Sequence, residues 1–290
     1  MPKKQIVLIV MALFLSLFGE KAFCQTEPRL DDPVVPDSLL DNRAAAYQYY
    51  KAHYWENCQL DDSTLVGDLR FVKRICDFFD KVVAPLPDSL TSEIDRFVGQ
   101  IPNKNVRDFA LCLLLDKYEH PTYMTQDAVY VHLAEHYFLQ DKDIKGLSET
   151  SYAHIDNQVK KNKRLALFQP APELALRDAK GNHISIHSIE SEWLVLFFYD
   201  HECDVCESEA QDLQQLSTQH PDLQVYAIDV NRKFLPFDNN FINVSAIQAL
   251  GDDPIDTYDV SDTPMLYLLD RDKRIVGKRL SAKQIPILLN

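Results

Sequence analysis

This 290-residue sequence predicts an α/β domain preceded by an all-α domain. Three observations carry that reading. Trp193 to Tyr199 is an unbroken run of seven apolar or aromatic residues, the pattern of a strand buried on both faces. Behind it comes a short polar turn and then Ala210, Leu213 and Leu216 at helical spacing, followed by a second apolar run from Leu223 to Val230. Ahead of it, from about Ser38 to Leu167, the periodicity is helical throughout, with few glycines to break it.

The chain opens on a secretory leader pattern. Lys3 and Lys4 give a positive start, Ile6 to Phe18 an apolar stretch, and Ala22-Phe23-Cys24 an A-x-small cleavage site before Gln25. The apolar stretch is shorter than the roughly 18 residues of a spanning helix. Cleavage after Cys24 is the reading adopted for residues 1–24; a lipid anchor on Cys24 is the alternative, disfavoured by bulky Phe23 and charged Lys21. Residues 1–24 carry a net charge of +2, so their removal takes the formal charge from −14 to −16. Such an acidic protein is a poor partner for nucleic acid or anionic lipid, and contact with a membrane is expected only if the N-terminus is retained or lipidated. The expected location is the periplasm or cell envelope, where cysteines can oxidise.

Residues 25–37, with Pro28, Pro33 and Pro36 among acidic residues, read as an extended lead-in. Residues 38–164 read as the helical domain. Its helices are expected at Ala44–Tyr54, Asp68–Val83, Ser89–Val98, Val106–Tyr118 and Thr125–Phe138, the last with Thr125 as N-cap. Cys76 and Cys112 fall within apolar stripes and read as small buried hydrophobes; the role of Cys58 is open. His132 and His136 share a helix face, but no second pair of ligands stands near, so no metal is expected. Lys160 to Arg164 reads as a solvated basic linker.

Residues 165–290 form the second domain. Glu173–Arg177 and His183–Ile186 flank Asp178-Ala179-Lys180-Gly181 as a hairpin. The strand at 193–199, the helix after Cys206 and the strand at 223–230 imply a right-handed crossover joining a parallel pair. Residues 231–253 read as an insertion of mixed character. Met265–Leu269 and Ile275–Leu280 form an antiparallel hairpin at the far edge, and Ala282–Leu289 closes as a short helix.

The chemistry sits at the strand-to-helix junction. Cys203 and Cys206 are separated by two residues there, so the first sulfur falls at a helix N-terminus, where unpaired amides and the positive dipole end stabilise a thiolate. The thiolate is the attacking species of thiol–disulfide exchange.

The order hairpin, strand, C-x-x-C helix, strand, insertion, hairpin, helix resembles the thioredoxin fold, and more narrowly the exported TlpA/ResA-like thiol-disulfide oxidoreductases. Pro170-Ala171-Pro172-Glu173-Leu174, Asp178 to Gly181, Thr263-Pro264 and Leu268 to Lys273 carry the narrower match. The resemblance implies a thioredoxin-like fold at the C-terminus and no cofactor. It implies Cys203 as attacking and Cys206 as resolving thiol, and Glu209 as a proton shuttle one helical turn from Cys206. A cis Thr263-Pro264 segment would be the place where a protein or peptide disulfide substrate pairs, with an upstream thiol as electron donor. The helical domain, through Tyr50 to Asn57, is similar to an uncharacterised domain fused before such modules in secreted bacterial proteins. The match has departures: Glu202 replaces the usual aromatic, Asp204-Val205 the usual residues between the cysteines, and Gln211 the usual proline. Asp200, Glu202, Asp204 and Glu207 crowd the pair and oppose thiolate formation, which points to a reductant.

Other classes fit less well. A peroxiredoxin needs a Pro and a Thr or Ser where this chain has Leu196 and Asp200. A zinc site needs two further ligands. A non-enzymatic envelope protein, with a degenerate thioredoxin-like domain and a helical domain that binds a partner, stays open as the alternative.

Overall fold

The computed structural model describes residues 27–121, 123–231, 234–249 and 252–289. The leader at 1–24, including Cys24, lies outside them. The chain divides into two compact units: a helical one ending at Val159, apart from the loop 123–125, and a mixed one from Lys160 onward. The division falls inside a helix, so the basic stretch read as a linker is ordered instead. It is the last turns of Glu149–Arg164, where Lys161 pairs with Asp259 at 3.4 Å and Arg164 donates to Thr257 O.

In the helical unit the helices are α1 (Asp37–Leu40), α2 (Arg43–His53), α3 (Leu69–Asp77), α4 (Pro87–Gly99), α5 (Lys104–Glu119), α6 (Asp127–Leu133) and α7 (Glu149–Arg164). Asn42 and Asp68 start α2 and α3 with side-chain caps, accepting from Ala45 N and Arg70 N. Helices α3 and α6 each run on into a wider π turn, Phe78–Val82 and Ala134–Phe138. Thr125, expected to cap α6, is displaced from that role by Gln126, which makes no side-chain cap. The core gathers Phe71, Phe78, Ile94, Phe97, Leu114 and Leu133, with the Trp55 ring stacked 4.2 Å from Phe97.

The segment read as a lead-in is built into this unit. Leu30 makes a β-bridge with Cys58, and the buried Arg74 guanidinium donates to Asp32 Oδ1, Asp31 O and Tyr54 O while lying 4.3 Å over the Tyr54 ring. A buried guanidinium has five donors to satisfy, and here the N-terminal segment supplies acceptors.

The mixed unit holds one sheet in the order β2-β1-β5-β4-β3-β6-β7. Its strands are β1 (Ala175–Arg177), β2 (His183–Ser185), β3 (Trp193–Tyr199), β4 (Leu223–Asp229), β5 (Ile242–Ser245), β6 (Met265–Leu269) and β7 (Ile275–Lys278). The central pair β3–β4 is parallel through helix α8 (Asp204–Gln219), and β6 runs antiparallel to β3. Along β3 the side chains alternate between two cores. Leu194, Leu196 and Phe198 join one, while Val195, Phe197 and Tyr199 join the other with Ala210, Leu213 and Ile285. A strand buried on both faces reads as a continuous apolar run for this reason. The insertion at 231–253 supplies a strand the sequence did not reveal: β5 pairs parallel with β4 and inserts between β4 and the β1–β2 hairpin. Short helices α9 (Pro254–Thr257) and α10 (Ile285–Leu288) complete the unit.

Candidate active site

Strand β3 ends at Tyr199, and its chain turns through Asp200 to Glu202 into α8. The turn is held by Asp200. Its carboxylate accepts from Glu202 N at 2.9 Å and from Asn231 Nδ2 at 3.1 Å, and these two bonds, the first foremost, hold its carboxyl below the usual range. Cys203 is the N-cap of α8, its sulfur accepting from Cys206 N at 3.2 Å. The sulfurs of Cys203 and Cys206 lie 2.6 Å apart. Cys203 is half-buried and Cys206 is 1 % exposed. Burial foremost, then the Cys203 neighbour, pushes the Cys206 thiol up to about 12; the Asp200 backbone and the Thr263 side chain pull weakly the other way.

The Thr263-Pro264 peptide is cis and meets the pair, with Cys203 Sγ 3.5 Å from Thr263 O. Cys203, Cys206 and Thr263 therefore converge. Glu209 does not join them. Its Oε2 accepts from Ala282 N at 2.7 Å, tying α8 to the turn before α10, and it does not line the groove beside the sulfurs. That bond gives Glu209 an anchoring role in the fold.

Sequence reasoning missed most of the opposite wall. A groove of about 610 Å³ runs from the sulfurs along Glu207, Gln211 and Gln214 of α8, facing Pro236 to Asn239. The loop is organised by the fully buried Asp229 at the end of β4, which accepts from Asn231 N at 2.7 Å and Leu235 N at 2.8 Å. His201 hydrogen-bonds Leu235 O and lies 3.8 Å from Asp229. Phe237 packs on Tyr199 and His201, and Asn243 of β5 brackets Phe237 through its backbone N–H and C=O. The available signal was a carboxylate closing an apolar strand, Asp229 after Ile228, which a buried position must satisfy with donors.

Among the described residues no cluster of His, Cys, Asp or Glu has the makings of a metal site, and no helix is long and apolar enough to cross a membrane. Ring stacking pairs His132 with His136, and Asp95 hydrogen-bonds His132 at 2.8 Å. Burial raises the thiols of Cys58, Cys76 and Cys112, the last to about 12.

Residues 18–162, half of the chain, match the model of a domain of unknown function, DUF5106. The chain belongs to the DUF5106 family. In this DUF5106 protein, residues 167–278 also match the AhpC/TSA family model, and the C-terminal domain is thioredoxin-like. A thioredoxin-like protein from Bacteroides caccae shares the fold over 93% of this chain and 99% of its own, at 17% identity and a TM-score of 0.62. Two shorter structures are also similar. A domain of a possible thiol-disulfide isomerase from Cytophaga hutchinsonii is 28% identical over 43% of this chain and 91% of its own, TM-score 0.38. A thiol:disulfide interchange protein from a Bacteroides species is 20% identical over 43% and 88%, TM-score 0.36. No curated protein matches.

Proposed function

We propose that this protein is an exported thiol-disulfide oxidoreductase acting in the reductive direction on protein or peptide disulfides. The observation that carries the reading is the pair itself: a half-buried sulfur at a helix N-terminus, with a buried partner 2.6 Å behind it, opening on a groove. The Cys203 thiolate attacks a substrate disulfide, forming one S–S bond and releasing one substrate thiolate. Cys206 then attacks Cys203, forming the internal disulfide and releasing the second substrate thiolate. Two electrons pass to the substrate, and an external dithiol donor restores the pair. The backbone around Thr263 and Pro264, beside Cys203, is the proposed contact for an extended substrate segment.

Two features support the direction. The carboxylates of Asp200, Glu202, Asp204 and Glu207 stand within three residues of a cysteine in the sequence, and burial disfavours ionisation of Cys206. A strongly oxidising couple needs a stabilised reduced thiolate, and both features work against one. Export rests on the leader pattern of residues 1–24.

Insulin reduction by the protein lacking residues 1–24, with a dithiol donor, tests the proposal. Turnover that disappears in Cys203→Ser is expected. Turnover no faster than the donor alone would sink the enzymatic reading and leave the non-enzymatic envelope role.

A further inference from the structure

We infer that the groove beside the cysteines selects substrates whose reactive cysteine is flanked by a lysine or arginine. This rests on the exchange activity proposed above and names the substrate class of that same site.

The groove has an unmatched negative character. Glu207 on one wall and Asp238 on the other are exposed and form no ion pair or hydrogen bond with the rest of the described chain. Elsewhere carboxylates are used: Asp200 accepts from Glu202 N and Asn231, Asp229 from two backbone amides. No described lining residue is lysine or arginine, and His201 is held by Leu235 O.

A cation entering here also finds matching surfaces. Phe237 also lines the groove, an aromatic ring of the kind that takes a guanidinium or ammonium. Deeper along α8, Gln214 also lines the groove, and its buried Oε1 accepts no hydrogen bond among the described residues, so rotation of this amide offers an acceptor to a donor-rich cationic head. Apolar surface is available next to lining residues, where Val205, between the cysteines, is 59 % exposed and Leu235, before Pro236, 50 %. A basic side chain with an aliphatic stem uses both kinds of surface.

The test compares three cystine peptides that differ only at the residues flanking one cysteine: lysine, glutamine or glutamate. For the protein lacking residues 1–24, kcat/KM is expected to fall in that order. The span from lysine to glutamate is expected to be about tenfold at low ionic strength, the lower end of steering by a charged cleft. Added salt should narrow it. In the Glu207→Gln/Asp238→Asn variant the lysine-to-glutamate ratio should fall towards one, a ratio read within one protein sample and so independent of its active fraction. Equal turnover of the three peptides by the unaltered protein, or a preference for glutamate, overturns the inference while leaving exchange activity standing. Absence of turnover with all three overturns both.

Discussion

Replacing Cys206 by serine should convert a fleeting covalent intermediate into a stable one, and the structure sets the scale. In the unaltered protein the mixed disulfide on Cys203 is attacked by a sulfur already in contact with it. Well-oriented intramolecular reactions reach effective molarities of about 10⁵ M or more. Against this, a Cys206 thiol pushed up to about 12 leaves a thiolate fraction of roughly 10⁻⁵ at pH 7. The product is an effective thiolate concentration on the order of 1 M. An external thiol at about 1 mM, with a free-thiol pKa near ~8.5, supplies roughly 3 × 10⁻⁵ M thiolate. Proximity therefore outweighs the ionisation penalty by about 10⁴-fold. The Cys206→Ser adduct with a cysteine peptide should outlive the native adduct by that order, followed by quenched-flow mass spectrometry. The pH dependence has a definite sign. A raised pKa means the protonated form dominates at neutral pH, so native resolution should quicken about tenfold per pH unit from pH 7 to 9. A native rate flat over that range, or a Cys206→Ser adduct that decays as fast as the native one, would refute the reasoning.

Three further outcomes follow from the same geometry. Glu209→Ala, which strips the acceptor from Ala282 N, should cost about 1 kcal/mol in urea unfolding, with Glu209→Gln recovering most of it. A lowered exchange rate in Glu209→Gln at unchanged stability would support the shuttle role. Arg74→Ala should destabilise the helical unit by about 3 kcal/mol, because the Asp31, Asp32 and Tyr54 oxygens lose their donor. Arg74→Lys should not rescue it, since an ammonium lacks the planar fork; Trp55 fluorescence reports that transition. Hydrogen peroxide should be consumed no faster than by Cys203→Ser, because buried Leu196 and the bonded carboxylate of Asp200 stand where peroxidatic chemistry uses Pro and Thr or Ser. Peroxide turnover matching insulin reduction would contradict this.

The parts of the fold legible in the sequence are those fixed by a single strong pattern. Trp193 to Tyr199 announces its burial because no polar residue interrupts it, and Cys203 announces a helix start because the periodicity changes directly behind it. Strand β5 was illegible: Ile242-Asn243-Val244-Ser245 has only two apolar residues, and Asn243 is spent on bracketing Phe237. The end of α7 was hidden by its charge, yet Asn162 is buried and its neighbours meet Asp259 and Thr257. For the site, the two cysteines were marked by their spacing at a strand-to-helix change and Thr263-Pro264 by the family resemblance alone; the fold brings Cys203 Sγ within 3.5 Å of Thr263 O. The backbone partner of Glu209 was hidden because spacing along α8 says nothing of a residue 73 places downstream. The groove wall at 236–239 escaped for the same reason: Asp229, Phe237 and Asn243 form one unit only after β4 and β5 pair.

The bridge between Leu30 and Cys58, with Asp32 held by Arg74, bears on how this polypeptide matures. A nascent chain appears amino end first, so Asp32 waits until a residue 42 places later has arrived before it can dock. During that interval the stretch is bare to chaperones and proteases. An affinity tag or carrier fused directly ahead of Glu27 would crowd the seam.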